Sequence, residues 1–252
     1  CYGNFPTYVK KKGDDIMLYG YYFDPTYVLI VIGMVICIAA SAHVNSTFRK
    51  YSKYRSNSGL TGAQAAKMIL ESQGIYDVTI QHIGGDLTDN YNPSNKVLSL
   101  SDATYNQTNV AAIGVAAHEC GHAMQHAKGY APISVRNALV PFANWGSRLS
   151  WILIIVGILF YGNGTGQTLL DLGIIAFSLA VLFQLVTLPV EFNASARALT
   201  MLRDYNFLDE TEVRGARKVL SAAAMTYVAA AAASILQFLR LLAIANSSRR
   251  NN

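Results

Sequence analysis

The chain has 252 residues, enough for one domain or for one membrane bundle with a modest domain attached. Just over half of them are apolar and only 14 % are charged, against about 25 % in a soluble domain; this excludes an ordinary soluble globule and points to lipid. The net charge of +5 reads in such a chain as topology information, not as a nucleic-acid footprint. The three cysteines, Cys1, Cys37 and Cys120, form neither a disulfide framework nor a C-x-x-C metal site.

Residues 1–16 have no apolar core of signal-peptide length. They read as a leader or appended tail, with Met17 as the candidate start of a single membrane domain over 17–252. The first candidate span then runs from Tyr27 to Val44, as YVLIVIGMVICIAASAHV. The next three cover about Leu139–Tyr161, Thr168–Val190 and Val219–Ala245, the last rich in alanine and interrupted by Arg240. Each approaches the length of about 20 residues that a bilayer requires.

Lysine and arginine set the orientation. Arg49, Lys50, Lys53 and Arg55 crowd the exit of the first span, and Arg197, Arg203, Arg214, Arg217 and Lys218 follow the third. The turn between the second and third, GNGTGQ, carries no charge. By the positive-inside rule residues 45–138 and 191–218 face the cytoplasm.

Within the insertion 45–138, Thr61 caps a helix over GAQAAKMILES and Gly74 stops it. Tyr76 to Ile83 alternates as a strand, GGDLTDNYNPSNK reads as turns, and Lys96 to Leu100 alternates again. Asn109 caps a long helix from Val110 to about Lys128. The expected fold is a mainly α membrane protein with about four transmembrane helices. A small α+β, zincin-like cytoplasmic domain carries the motif described next.

That last helix contains His118-Glu119-Cys120-Gly121-His122, an H-E-x-x-H motif. Residues four apart share a helix face, about 6 Å between side-chain origins. Two imidazoles at that spacing can bind one Zn²⁺ at about 2.0–2.1 Å each. Glu119, one position on, flanks the ion and can take a proton from a water that the metal activates. The small and apolar flanks Val115, Ala116, Ala117 and Ala123 suit a buried helix.

A catalytic zinc keeps three protein ligands and one open position. Glu191 is the candidate third ligand: it follows the third span on the side of the motif, where a carboxylate beside an apolar run requires a partner. Asp171, some 20 residues earlier, lies about 30 Å along a helix axis and is the rival. His126 sits about 12 Å from His118, too far to share one ion. Cys120 points about 100° away around the helix, and His43 reads as interfacial. His82, Arg197 and Arg203 are candidates to stabilise an oxyanion.

The chain also resembles the YugP-like neutral zinc metallopeptidases of bacterial membranes over roughly Phe23 to Ile244. The strings that carry this are STFRKYS, SGLTGAQAAKMIL, YNPSNKVLSLS, VAAIGVAAHECGHAMQHAKGYAP and EFNASARAL, in that order. The group is distantly similar to HtpX-type membrane metallopeptidases, in which a glutamate of an E-x-x-x-D pattern is the third ligand; the resemblance implies that role for Glu191. Ser195 stands here where that pattern has its acid, and Asn193 where the family often has aspartate.

The function expected is a gluzincin-like zinc endopeptidase in the bacterial plasma membrane, with lipid as solvent and a cytoplasmic site. It would cleave membrane-associated or unfolded proteins or peptides, which could pair with an edge at Lys96–Leu100. Two other readings are a non-catalytic membrane scaffold with a structural metal and a site-two-type intramembrane protease using Asp171.

Overall fold

A computed structural model describes residues 26–160 and 164–250, with side chains up to residue 247. The stretch 1–16, Met17, Tyr161 at the end of the second candidate span, and Gly162 and Asn163 of the uncharged turn lie outside the described residues. The order is α1 (Tyr27–Tyr51), α2 (Gly62–Ser72), β1 (Thr79–His82), β2 (Asn90–Asn92), β3 (Val97–Leu100), α3 (Val110–Ala127), α4 (Ala131–Leu159), α5 (Gly164–Asp204) and α6 (Glu210–Arg250). The protein is mainly helical, and α1, α4, α5 and α6 are long and apolar enough to cross a membrane.

The apolar runs mark these four helices but not their ends. α5 and α6 have 41 residues each. At 1.5 Å per residue that is about 60 Å, twice a hydrocarbon core of about 30 Å. Each helix therefore continues past its apolar stretch. The continuations place Ala198 and Leu202 of α5, and Val213, Ala216 and Leu220 of α6, in the core around α2, α3 and the sheet. One pair of rigid helices thus serves both parts of the molecule.

α1 packs on α6, α6 on α5 and α5 on α4, while α3 lies against both α5 and α6. Small residues allow the close approaches, as expected where lipid gives no hydrophobic drive between helices. A β-carbon on Gly173 of α5 would meet Ile154 Cγ1 of α4 at 2.7 Å. Val28, Val31, Val35 and Ile38 of α1 are exposed, which suits a face toward acyl chains.

Thr61 caps α2 by accepting from the Gln64 backbone N–H, and the Gln64 side chain accepts in return from the Thr61 N–H. Gly74 follows at φ 72°, the left-handed position expected after a helix end. Asn109 Oδ1 accepts from Ala112 N and starts α3. Gly129, at φ 60°, turns the chain from α3 into α4.

The sheet runs β1-β3-β2, with Ile80 beside Leu98 in the parallel pair and Tyr91 beside Leu98 in the antiparallel pair. This corrects one expectation. β3 is the central strand, so Lys96–Leu100 offers no edge to a substrate. β2, inside the stretch read as turns, is the edge strand that packs on α3. It escapes a sequence reading because three residues, Asn90 to Asn92, set between Asp89 and Pro93, carry no usable alternation.

Candidate metal centre

α3 is buried on almost every side, and Glu119 is only 8 % exposed. His118 and His122 point together toward α5, with ring centroids 4.8 Å apart and planes at 87°. Between them lies the Glu191 carboxylate: its Oε2 is 3.2 Å from His118 Nε2 and 3.5 Å from His122 Nε2. One donor atom from each residue falls within 4.8 Å of the others, and no other such group of His, Cys, Asp and Glu occurs among the described residues.

The helices are held together where the motif has its glycine. A β-carbon on Gly121 would lie 2.5 Å from the Ala194 carbonyl oxygen. Without a side chain, α3 presses its backbone onto α5 one turn from Glu191. Residue 121 of the motif thus brings in the third donor.

Neighbouring side chains fix each imidazole. His118 Nδ1 is 3.1 Å from Ser195 Oγ, one helical turn after Glu191. His122 Nδ1 is 3.0 Å from Gln125 Oε1. The buried Gln125 amide donates to Val190 O at 2.8 Å and to Asn193 Oδ1 at 3.0 Å. Arg197 Nε donates to the same Asn193 oxygen at 2.7 Å and lies over the Tyr130 ring. Ser195 and Asn193, the two departures from the related patterns, therefore occupy orienting positions with neutral oxygens. Such contacts around ligating histidines fix tautomer and ring direction.

The donor set fits Zn²⁺. Bonds of about 2.0–2.1 Å in a tetrahedron put ligand atoms roughly 3.3–3.4 Å apart, which matches both imidazole-to-carboxylate distances. Glu191 is 3 % exposed, and among the described residues its salt-bridge partners are the two imidazoles. A buried carboxylate so placed needs a positive partner, which a cation or a protonated imidazole supplies. Burial pulls the His122 imidazole toward its neutral form, yet Glu191, Glu119 and Gln125 together outweigh this and its pKa lies above the usual value. Burial pushes the Glu119 carboxyl up, against the pull of His118 and His122.

The remaining candidates lie elsewhere. Asp171, near the start of α5, accepts from Gln167 at 2.9 Å and is outside the group. His126 packs on the Tyr91 ring and is 3.5 Å from the Asn137 amide. The buried Cys120 thiol turns to Ala66 O of α2, and burial raises its pKa well above the ordinary thiol value. His43 is exposed on α1. His82 pairs with Asp102 at 2.7 Å, and Arg203 with its neighbour Asp204.

A cavity of about 150 Å³ opens on the centre, lined by Glu119, His122, His126 and Glu191, by Asn90, Tyr91 and Pro93 around β2, and by Arg136 and Tyr227. None of the three oxyanion candidates read from the sequence lines it. Arg136 and Tyr227 were missed because they come from α4 and α6, whose approach only the packing reveals. Tyr227 is nonetheless the one aromatic residue in α6 before Phe238. Gln125 was visible in principle, three residues from His122 on one helix face.

A helix bearing H-E-x-x-H opposite a buried glutamate, in a frame of long apolar helices, defines the metallopeptidase class. Residues 26–246 match the family described as "Putative neutral zinc metallopeptidase", and the chain belongs to that family. It is 42 % identical over 224 residues to "Putative membrane protease YugP" of Bacillus subtilis (strain 168), covering 89 % of this chain and 98 % of the relative. No solved structure matches it.

Proposed function

We propose that the chain is a membrane-embedded zinc endopeptidase that hydrolyses peptide bonds of membrane-associated or unfolded proteins. The observation that carries this is the convergence of two imidazoles and one buried carboxylate beside a fourth residue, Glu119, that is buried and outside the donor group. His118, His122 and Glu191 would hold Zn²⁺. When bound, the ion polarises the scissile carbonyl and makes water nucleophilic near neutral pH.

The protein's residues do the rest. Glu119 accepts the proton of the attacking water and returns it to the leaving amine nitrogen. Ser195 and Gln125 hold the imidazole rings. The edge strand β2, whose Asn90 and Tyr91 line the cavity, receives substrate in extended form through main-chain hydrogen bonds.

The site belongs to a small α+β zincin-like domain on the cytoplasmic side. Arg49, Lys50, Lys53 and Arg55 at the end of α1 and Arg214, Arg217 and Lys218 at the start of α6 support that side. The test is cleavage of an unfolded protein by the purified chain and by Glu119→Gln, with zinc content measured in both. Equal zinc and loss of cleavage in the variant support a catalytic site. Equal zinc and equal cleavage would leave only a structural metal in a membrane scaffold.

A further inference from the structure

We infer that Tyr227 is a further catalytic residue of the proposed peptidase site, its phenolic O–H donating a hydrogen bond to the scissile carbonyl oxygen as that oxygen becomes negatively charged. The inference rests on the peptidase reading and names a group that reading lacks. Acyl transfer through a tetrahedral oxyanion needs a hydrogen-bond donor aimed at the oxygen. Glu119 cannot serve, since it carries the proton of the water.

The cavity wall offers few candidates. The Arg136 guanidinium, the rival donor from α4, lies over the Phe183 ring, with its Nε buried and without a hydrogen-bond partner among the described residues. His126 is engaged with Tyr91 and Asn137. Tyr227 is the one residue of α6 among those lining the cavity, and its phenol lies close enough to interact with Glu191, the carboxylate between the two imidazoles. It reaches the centre from α6, whereas Glu119 reaches it from α3. Donor and base thus approach the reacting carbonyl from separate helices.

The local sequence makes a packing role insufficient. Tyr227 stands in AAAMTYVAAAAA, where the neighbours are small and the helix lies close to its partners. A phenylalanine would fill that volume equally well; what it would lack is the hydroxyl in the wall of the cavity. Once a cation takes up that carboxylate's charge, the O–H is a weaker partner for Glu191 and is available to the substrate oxygen.

The step balances without proton transfer from Tyr227. The water oxygen bonds to the carbonyl carbon, and the C=O π pair moves onto the oxygen that Tyr227 hydrogen-bonds. The water proton goes to Glu119. On collapse the C–N bond breaks and Glu119 passes that proton to the amine nitrogen.

The experiment uses the full chain in detergent, as wild type, Tyr227→Phe and Glu119→Gln. Zinc affinity, kcat and KM on an unfolded protein, and affinity for a phosphinic peptide, a tetrahedral mimic, are measured for each. For Tyr227→Phe we expect zinc affinity and KM close to wild type, kcat lower by about 10²–10³-fold, and phosphinic peptide binding weakened in parallel. Unchanged kcat with inactive Glu119→Gln would overturn this inference alone. Zinc affinity falling together with kcat would also overturn it, by making Tyr227 a positioning residue for Glu191. Equal cleavage by Glu119→Gln and wild type would remove the peptidase reading and this one with it.

Discussion

Gly121 of α3 and Ala194 of α5 meet backbone to backbone, and a β-carbon at 121 would lie 2.5 Å from the Ala194 carbonyl oxygen. The contact lies between the two histidines of one helix and three residues from the glutamate of the other. Backbone cannot rotate aside as a side chain can, so a methyl group here must separate the helices. Gly121→Ala is therefore expected to destabilise the fold by about 1–3 kcal/mol and to weaken zinc binding. Thermal unfolding with and without added zinc measures both; a variant with wild-type zinc affinity would show that the contact does not set the site.

Glu191 and Asp171 compete for the third donor position. Only Glu191 lies within reach of both imidazoles, while Asp171 is bonded to Gln167. Glu191→Gln should lose zinc by more than the roughly 10–100-fold typical of an orienting residue, and Asp171→Asn should retain it. Metal analysis of the purified proteins decides; the reverse pattern would establish an intramembrane site.

Ser195 and Gln125 touch the far nitrogens of the two histidines. Ser195→Ala and Gln125→Ala are each expected to weaken zinc affinity by about 10–100-fold. Gln125→Ala should also lower stability, because its buried amide ties α3 to Val190 and Asn193 of α5. Competition with a chelator of known affinity gives the first number and thermal unfolding the second. A change confined to stability would limit Gln125 to packing.

How much of this was legible depended on how local each signal is. The Thr61 capping box, the Asn109 cap, Gly74 and the four apolar runs are written within a few residues of where they act. The pairing of His118 with His122 follows from helix geometry alone. Glu191 was a candidate from its position just after the third apolar run and from the resemblance, and the structure brings its carboxylate to both imidazoles. The Gly121–Ala194 approach, β2 and the cavity's Tyr227 and Arg136 were not, because each depends on how α4, α5 and α6 pack. The length of α5 and α6 was hidden for a related reason. Beyond Val190 and before Val219 the helices bury alanine and leucine against protein, and hydropathy falls while helix continues.

Orientation gives a separate prediction. Ser94 lies in the turn between β2 and β3, close to the cavity residue Pro93. A cysteine at 94 should react with an impermeant maleimide only from the cytoplasmic side, in inverted vesicles and not in intact cells. Labelling in intact cells would put the site outside and reverse the assignment made from the arginines and lysines.

The central claim is that His118, His122 and Glu191 share one zinc ion. X-ray absorption at the zinc edge of the purified protein tests it most directly. The account predicts nitrogen and oxygen neighbours at about 2.0–2.1 Å, scattering from two imidazoles, and loss of the bound metal in Glu191→Gln. A sulfur neighbour at about 2.3 Å, a single imidazole, or an unchanged spectrum in that variant would contradict it.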